Sequence, residues 1–406
     1  MDIVYYTKEM RDMQVFKKGF FVNNDEKSNL IFNFALKNTK FLHKARFYNI
    51  LELLKRLRDR YMAKGGIVLV SMRDIASVCG VSVATVSKAL NDHSDIGAET
   101  KHKIKKMAKE MGYYPNAMAR ALKTNRTYSI GVLFVDESKS GLTHDYFAFV
   151  LDSFKRRVEE CGYDITFINS SKKGRNQLSI TEHCRYRGFD GVVIACVDFY
   201  DKEIFELIQS DIPVVTIDHV FEQRIAIVSD NVGGMRTLFS YVYNQGHRKI
   251  AYIHGASSAV TQKRVASFYR TADALGIKIP DEYVKEAMYR DGNAAALATQ
   301  QLLNLSDPPT CIMYPDDIAC QGGLKAIREM GLSVPEDVSV VGYDGVKIGE
   351  YFVPKVTTLK QDTERIGREA AIKLIDLIES PKTTLIEQIV VEGAVCEGDT
   401  VRRIDK

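Results

Sequence analysis

Residues 80 to 92, GVSVATVSKALND, set hydroxyls at Ser82, Thr85 and Ser87 and a cation at Lys88 among small side chains at Val83 and Ala84. Hydroxyls and one ammonium on a face of small residues can hydrogen-bond to a polar surface brought very close. Catalytic patterns are missing: the chain holds no GxxxxGK, no HExxH and no GxSxG, so no catalytic centre is recognisable and an enzyme is not expected. Cys79, Cys161, Cys184, Cys196, Cys311, Cys320 and Cys396 are scattered, with no CxxC pair and no histidine at ligand spacing. That usage argues against a metal site and a disulfide framework and predicts buried reduced thiols, with no cofactor.

The helix carrying the hydroxyls is legible from its ends. Ser82 is a cap, Val81 and Val86 stand at the positions of a hydrophobic staple, and Val86, Ala89 and Leu90 make one buried stripe. Val83, Ala84, Thr85, Ser87, Lys88 and Asn91 are left facing outward. A preceding helix is predicted through MRDIASVC, capped by Ser71 with Asp74 in its first turn and ended by Gly80. A following helix, AETKHKIKKMAKEMG, spaces Ile104, Met107, Ala108 and Met111 along one face and stops at Gly112. Two helices joined by a tight glycine turn and closed by a third make a helix-turn-helix. After Pro115, NAMARALKTNRT is too short to be helical unless something holds it.

At 406 residues and 45% hydrophobic content the chain has material for more than one domain. No apolar run approaches the roughly 20 residues that span a bilayer, and no secretory signal is visible, so a soluble cytoplasmic protein is expected. The net charge of +4 is unevenly spread: ETKHKIKKMAKE and the segment before residue 64 carry a large share of the cations, a hint of nucleic acid. From Ser129 onward, strand-length apolar runs (SIGVLFV, DITFIN, GVVIACV, IPVVTID) alternate with amphipathic helices. A second series follows with KIAYIHG, TCIMYP and VSVVGYDG. Repeated βαβ units predict two doubly wound parallel sheets, hence two lobes with a cleft outside the carboxyl ends of the strands. Residues 1–70 fit neither pattern. Lys64-Gly65-Gly66 is encoded by AAR-GGN-GGN, which can spell a ribosome-binding site, so this basic stretch reads either as translated leader, with the start between Val68 and Met72, or as a genuine appendage.

In this order, MRDIASVCGVSVATVSKALND, TKHKIKKMAKEMGYYPNAMARALKTNRTYSIGV, GHRKIAYIHG, VPEDVSVVGYDG and TTLKQD closely resemble the lactose-repressor (LacI/GalR) family of bacterial transcription regulators, over about Ser71 to Cys396. The resemblance implies that the 82–91 helix enters the major groove of double-stranded operator DNA. Val83, Ala84 and Lys88 match base-reading positions, with Lys88 donating to guanine or simply to a phosphate, while Ser82, Thr85 and Ser87 suit phosphate anchoring. Leu122, flanked by Ala119 and Arg120, matches a leucine that wedges into the minor groove. In the cleft the resemblance picks out Tyr146, Phe147, Asp218, Arg264 and Asp316, a set suited to polyhydroxylated sugars. Asp218 and Asp316 could instead only cap helices or turns, and Arg264 could be an interlobe ion pair. Pro315 replaces the family's asparagine, and Gln321 stands where a small glycine is customary.

The expected organisation is a helix-turn-helix domain at 71–114, a hinge at 115–126 and a periplasmic-binding-protein-like effector and dimerisation domain at 127–396. The first lobe would take about 127–230 plus 363–383, and the second about 231–362 plus 384–396. The implied function is a ligand-responsive repressor of carbohydrate genes, binding a pseudo-palindromic operator as a homodimer. The tail EGDTVRRIDK shows no leucine heptad that would add a tetramer-forming helix. Two alternatives are a regulator answering to a nucleobase and a solute-binding protein of the same two-lobed fold; the latter would lack residues 71–125 and carry a signal peptide.

Overall fold

The computed structural model describes residues 70–114, 121, 124, 126–135, 141–168 and 178–404. Residues 1–69, read as leader or appendage, and the expected hinge positions Ala119, Arg120 and Leu122 lie outside these residues. The described residues fall in two compact units, divided after Arg120.

The first unit contains α1 (Met72–Cys79), α2 (Val83–Leu90) and α3 (Ala98–Glu110). Three of their boundaries have a local cause. The Ser71 amide and hydroxyl both donate to Asp74, at 2.8 and 2.6 Å, and Gly80 closes α1 at φ 69°. The Thr85 amide donates to the Ser82 hydroxyl at 3.0 Å, so Ser82 is a working cap, worth about 1 kcal/mol. Ile75, Cys79, Val86, Ala89, Ile104 and Ala108 form the buried centre, with Val81, Leu90, Met107 and Met111 packed around it.

The second unit holds two six-stranded sheets. The first comprises β1 (Ser129–Phe134), β2 (Asp164–Phe167), β3 (Gly191–Ala195), β4 (Val214–Ile217), β5 (Ile225–Ser229) and β11 (Gln388–Val391), ordered β11-β5-β4-β3-β1-β2. The second comprises β6 (Ile250–His254), β7 (Val284–Glu286), β8 (Cys311–Met313), β9 (Ser339–Asp344), β10 (Thr357–Lys360) and β12 (Ala394–Cys396), ordered β12-β10-β9-β8-β6-β7. The central strands are buried end to end, as GVVIA of β3 and VVTI of β4, because helices cover both faces. On one face of the first sheet lie α4 (Asp145–Glu160) and α11 (Thr363–Glu379); on the other lie α5 (Ile180–Arg187) and α6 (Lys202–Gln209). A Cβ at Gly367 would stand 2.2 Å from the Val150 carbonyl, so glycine is what lets α11 approach α4. The second sheet is sandwiched by α7 (Asn231–Asn244) and α8 (Ala259–Ala274) on one side and by α9 (Gly292–Leu303) and α10 (Asp317–Glu329) on the other.

The chain crosses between lobes after β5, after β10 and between β11 and β12. Three expectations are corrected. The return to the second lobe comes after Val391 and not at residue 384, because β11 pairs in parallel with β5; only Val391 of this edge strand is fully buried, which leaves it little strand signature. The second lobe also runs past residue 396, since the Val340 amide donates to the Thr400 carbonyl and the Ile404 amide to Gln245. The second sheet is mostly parallel: β12 runs antiparallel to β10, having arrived from the other lobe through the short Glu392-Gly393 link. Cys79, Cys184, Cys311 and Cys320 are buried, whereas Cys161, Cys196 and Cys396 are only partly so. Among the described residues no helix is long and apolar enough to cross a membrane.

Candidate functional site

Two regions gather chemistry. On α2 the outward face is the expected one. Ser82, Val83, Ala84 and Lys88 are exposed, Thr85 and Ser87 half-buried, and Asn91 ends the helix with its side chain donating to the Ser87 carbonyl at 2.7 Å. The Ser82 hydroxyl also pairs with that of Thr85 at 2.8 Å. Lys88 is not idle in the free protein: its ammonium bonds the carboxylate of Asp95, which would have to yield before Lys88 reached a base or a phosphate.

The second region is a cavity of about 320 Å³ between the lobes of the larger unit, lined by residues just past the carboxyl ends of the strands. All five cleft residues picked from the sequence line it: Tyr146, Phe147, Asp218, Arg264 and Asp316. Tyr146 and Phe147 start α4, and the Tyr146 hydroxyl donates to Asp218 at 3.0 Å and pairs with Ser229 at 3.1 Å. Burial, then the Asp218 charge, pushes the Tyr146 hydroxyl above its ordinary pKa, which keeps it a neutral donor. Asp218 follows β4 at φ 60°, a left-handed backbone that costs energy for a residue with a Cβ. Its other oxygen accepts from the Ser229 amide at 2.9 Å, so it ties β4 to β5 while facing the cavity.

Arg264, on α8, is 4% exposed. Its Nε donates to Asn231 at 2.8 Å, one terminal nitrogen donates to the Pro315 carbonyl at 3.0 Å, and the other lies 3.8 Å from Asp344. The guanidinium stacks 3.6 Å over the Tyr343 ring. Burial alone would weaken its charge, but Tyr343, Tyr289 and Asp344 more than offset that and hold its pKa above the usual value. These partners all sit on elements of the second lobe. The interlobe ion pair is a different one: Arg290, after β7, donates to Asp145 at the start of α4, at 2.9 Å. Pro315 therefore serves through its carbonyl, while Gln321 is a half-buried residue on α10.

Asp316 is a helix cap that also faces the cavity. One oxygen caps α10 by accepting from the Ala319 amide at 2.7 Å, the other accepts from the Arg290 amide at 2.8 Å, and the residue still lines the cavity. Burial raises its pKa against those two bonds.

Sequence reasoning missed Asp344, Gln361, Tyr289, Arg290, Phe199 and His219, all of which line the cavity. Asp344 ends β9 and Gln361 follows β10, and the Gln361 amide nitrogen donates to Asp344 at 2.7 Å. Both stand in stretches that carried the family resemblance, VSVVGYDG and TTLKQD, where a strand runs out. Burial first, then Asp316 and Asp218, pushes Asp344 up to about 6 against the pull of Arg264 and Gln361. Phe199 and His219 stack at 4.3 Å with ring planes 10° apart, forming an aromatic wall on the first lobe. Burial, then Lys263, lowers the His219 pKa and leaves the ring neutral.

Set beside known proteins, residues 71–116 match the profile of bacterial regulatory proteins of the lacI family, and residues 239–401 that of periplasmic binding protein-like domains. The probable HTH-type transcriptional repressor ExuR of Bacillus subtilis is 30% identical over 339 residues, which cover 83% of this chain and 99% of that one. The HTH-type transcriptional repressor PurR of Vibrio vulnificus is 29% identical over 316 residues, covering 77% and 92%. The Lac repressor dimer bound to operator and the anti-inducer ONPF shares the fold, with a TM-score of 0.69 at 24% identity over 82% of this chain and 99% of that one. A helix-turn-helix with a small, hydroxyl-bearing outward face, followed by a two-lobed cleft and matched along nearly the whole of ExuR, places this chain in the LacI family of bacterial regulatory proteins.

Proposed function

We propose that this LacI-family regulator is a repressor of carbohydrate genes that binds a pseudo-palindromic operator as a homodimer and answers to a sugar held between its lobes. The observation that carries the sugar reading is the convergence of three carboxylates (Asp218, Asp316 and Asp344) and the Arg264 guanidinium on one cavity with aromatic faces at Phe147 and Phe199. Carboxylates accept from hydroxyls, a guanidinium donates to them, and a ring face covers the apolar side of a pyranose. On α2, Val83, Ala84 and Lys88 are assigned to base edges, and Ser82, Thr85, Ser87 and Asn91 to the backbone. Ala119 and Leu122 are assigned to the minor groove on the family resemblance alone.

Effector and operator are linked because a ligand that favours one lobe arrangement must change DNA affinity, and DNA must change ligand affinity by the same factor. A thermal-shift screen of sugars and purines tests the effector class. A ligand at about 100 times its dissociation constant stabilises by roughly 2.7 kcal/mol, a shift easily resolved. A sugar that shifts melting and also changes affinity for operator selected from random DNA is the expected result; a purine that does both in its place would replace the sugar reading.

A further inference from the structure

The cavity has an excess of one charge. Its described lining carries the carboxylates of Asp198, Asp218, Asp316 and Asp344 against the guanidiniums of Arg264 and Arg290. Both cations already have partners. Arg264 donates to Asn231 and the Pro315 carbonyl and stands 3.8 Å from Asp344, and Arg290 donates from its terminal nitrogens to Asp145 and the Thr143 carbonyl. The remaining Arg290 nitrogen, Nε, has no hydrogen-bond partner but is covered by protein. Of the imidazoles, His219 is stacked on Phe199 and His144 packs edge-on against Phe147. The carboxylates keep lone pairs to spare, since each of the oxygens described above accepts one or two bonds. The lining is therefore richer in acceptors than in donors and favours a ligand that donates.

We infer that the cleft selects uncharged hydroxylated ligands and turns away the uronate and phosphate forms of the same sugars. The inference rests on the sugar reading above and narrows it to a charge class. A carboxylate or phosphate entering here meets four lining carboxylates against two guanidiniums, one of which is already paired with Asp145 and the other set beside Asp344, so its charge is poorly repaid.

The test uses the full chain and matched series built on glucose, galactose and ribose: each neutral sugar, its phosphate and, for the hexoses, its uronate, with hypoxanthine and inosine monophosphate as a fourth series. Affinities are measured by calorimetry at low and high salt. In any series whose neutral member binds, the anionic member should be weaker by at least about tenfold, and the gap should narrow at high salt. Asp218→Asn, and separately Asp198→Asn on the exposed loop, should also narrow it; a melting curve for each variant verifies folding. A uronate or phosphate that binds as tightly as its parent overturns the inference and leaves the sugar reading standing. Binding confined to the hypoxanthine series overturns the sugar reading, and the base against its nucleotide then decides the charge rule. Binding in no series overturns both.

Discussion

The two walls of the cleft are built on different principles. On the second lobe Arg264 and Asp316 are almost fully buried, Asp344 is 14% exposed, and each is held by at least two polar partners in its own lobe. On the first lobe the wall is largely of rings, with Phe147 against Tyr146 at 4.9 Å and Phe199 against His219 at 4.3 Å. Asp218 is that wall's one interlocked charge in the described lining, pinned by Tyr146 and Ser229. The difference teaches a division of labour. Interlocked charges are pre-organised and fix how a ligand is oriented, whereas ring faces tolerate lateral shifts and supply contact area.

The sharpest way to break this comparison is Arg264→Ala. It strands Asn231 and Asp344 in the interior, so the fold should lose about 3 to 5 kcal/mol and effector binding should vanish. Chemical denaturation beside calorimetry would show both. A variant that keeps wild-type stability would mean the second wall is not the rigid one.

Next in size is a pH effect. The Asp344 carboxyl sits near 6 in the folded chain against 3.8 when free, so between about pH 4 and 6 the native state holds the extra proton. Its contribution is fully present below pH 4 and is lost as pH rises through 6, on the order of 3 kcal/mol. Denaturation of wild type and Asp344→Asn across pH 4 to 7 isolates the term. The variant should lack this decline, and parallel profiles would remove Asp344 as its source.

For the aromatic wall, Phe199→Ala should weaken the effector by about tenfold with far less effect on stability than Arg264→Ala, because the ring is only half-buried. Equal losses of stability in the two variants would erase the distinction between the walls. The smallest effect belongs to the bridge between them. A double-mutant cycle of Arg290→Ala and Asp145→Ala should return a coupling of about 0.5 to 1 kcal/mol in the free protein, given a partly exposed pair. A coupling of zero would mean the pair does not hold the lobes together.

Much of this was legible beforehand, for physical reasons that differ by element. The α2 face and its caps follow from local periodicity and hydroxyl placement, which do not depend on distant residues. The buried strands announce themselves as continuous apolar runs, and the residues after them become candidates by topology alone. What escaped was non-local. The partnership of Arg264 with Asn231 and Pro315 joins residues 33 and 51 positions apart, and nothing along the chain signals it. Asp344 and Gln361 were in view as motif letters, but that one would brace the other depends on β10 pairing beside β9. β11 was hidden because its burial alternates while its letters, QIVV, do not.

The three crossings between the lobes are laced to one another. The Asp230 amide donates to the Val391 carbonyl at 2.8 Å, and a Cβ at Gly393 would stand 2.7 Å from the Lys360 carbonyl, so the first strap is bonded to the third and the third lies against the second. Three plies fastened side by side behave like a leaf spring: stiff against shear and torsion, compliant about the single axis that runs across them. Lobes tied in this way would move against each other chiefly through one degree of freedom, an angle. Whatever fills the cleft need not steer a rearrangement; it only has to choose a value of that angle, and any point far from the straps is carried through an arc in proportion to its lever arm.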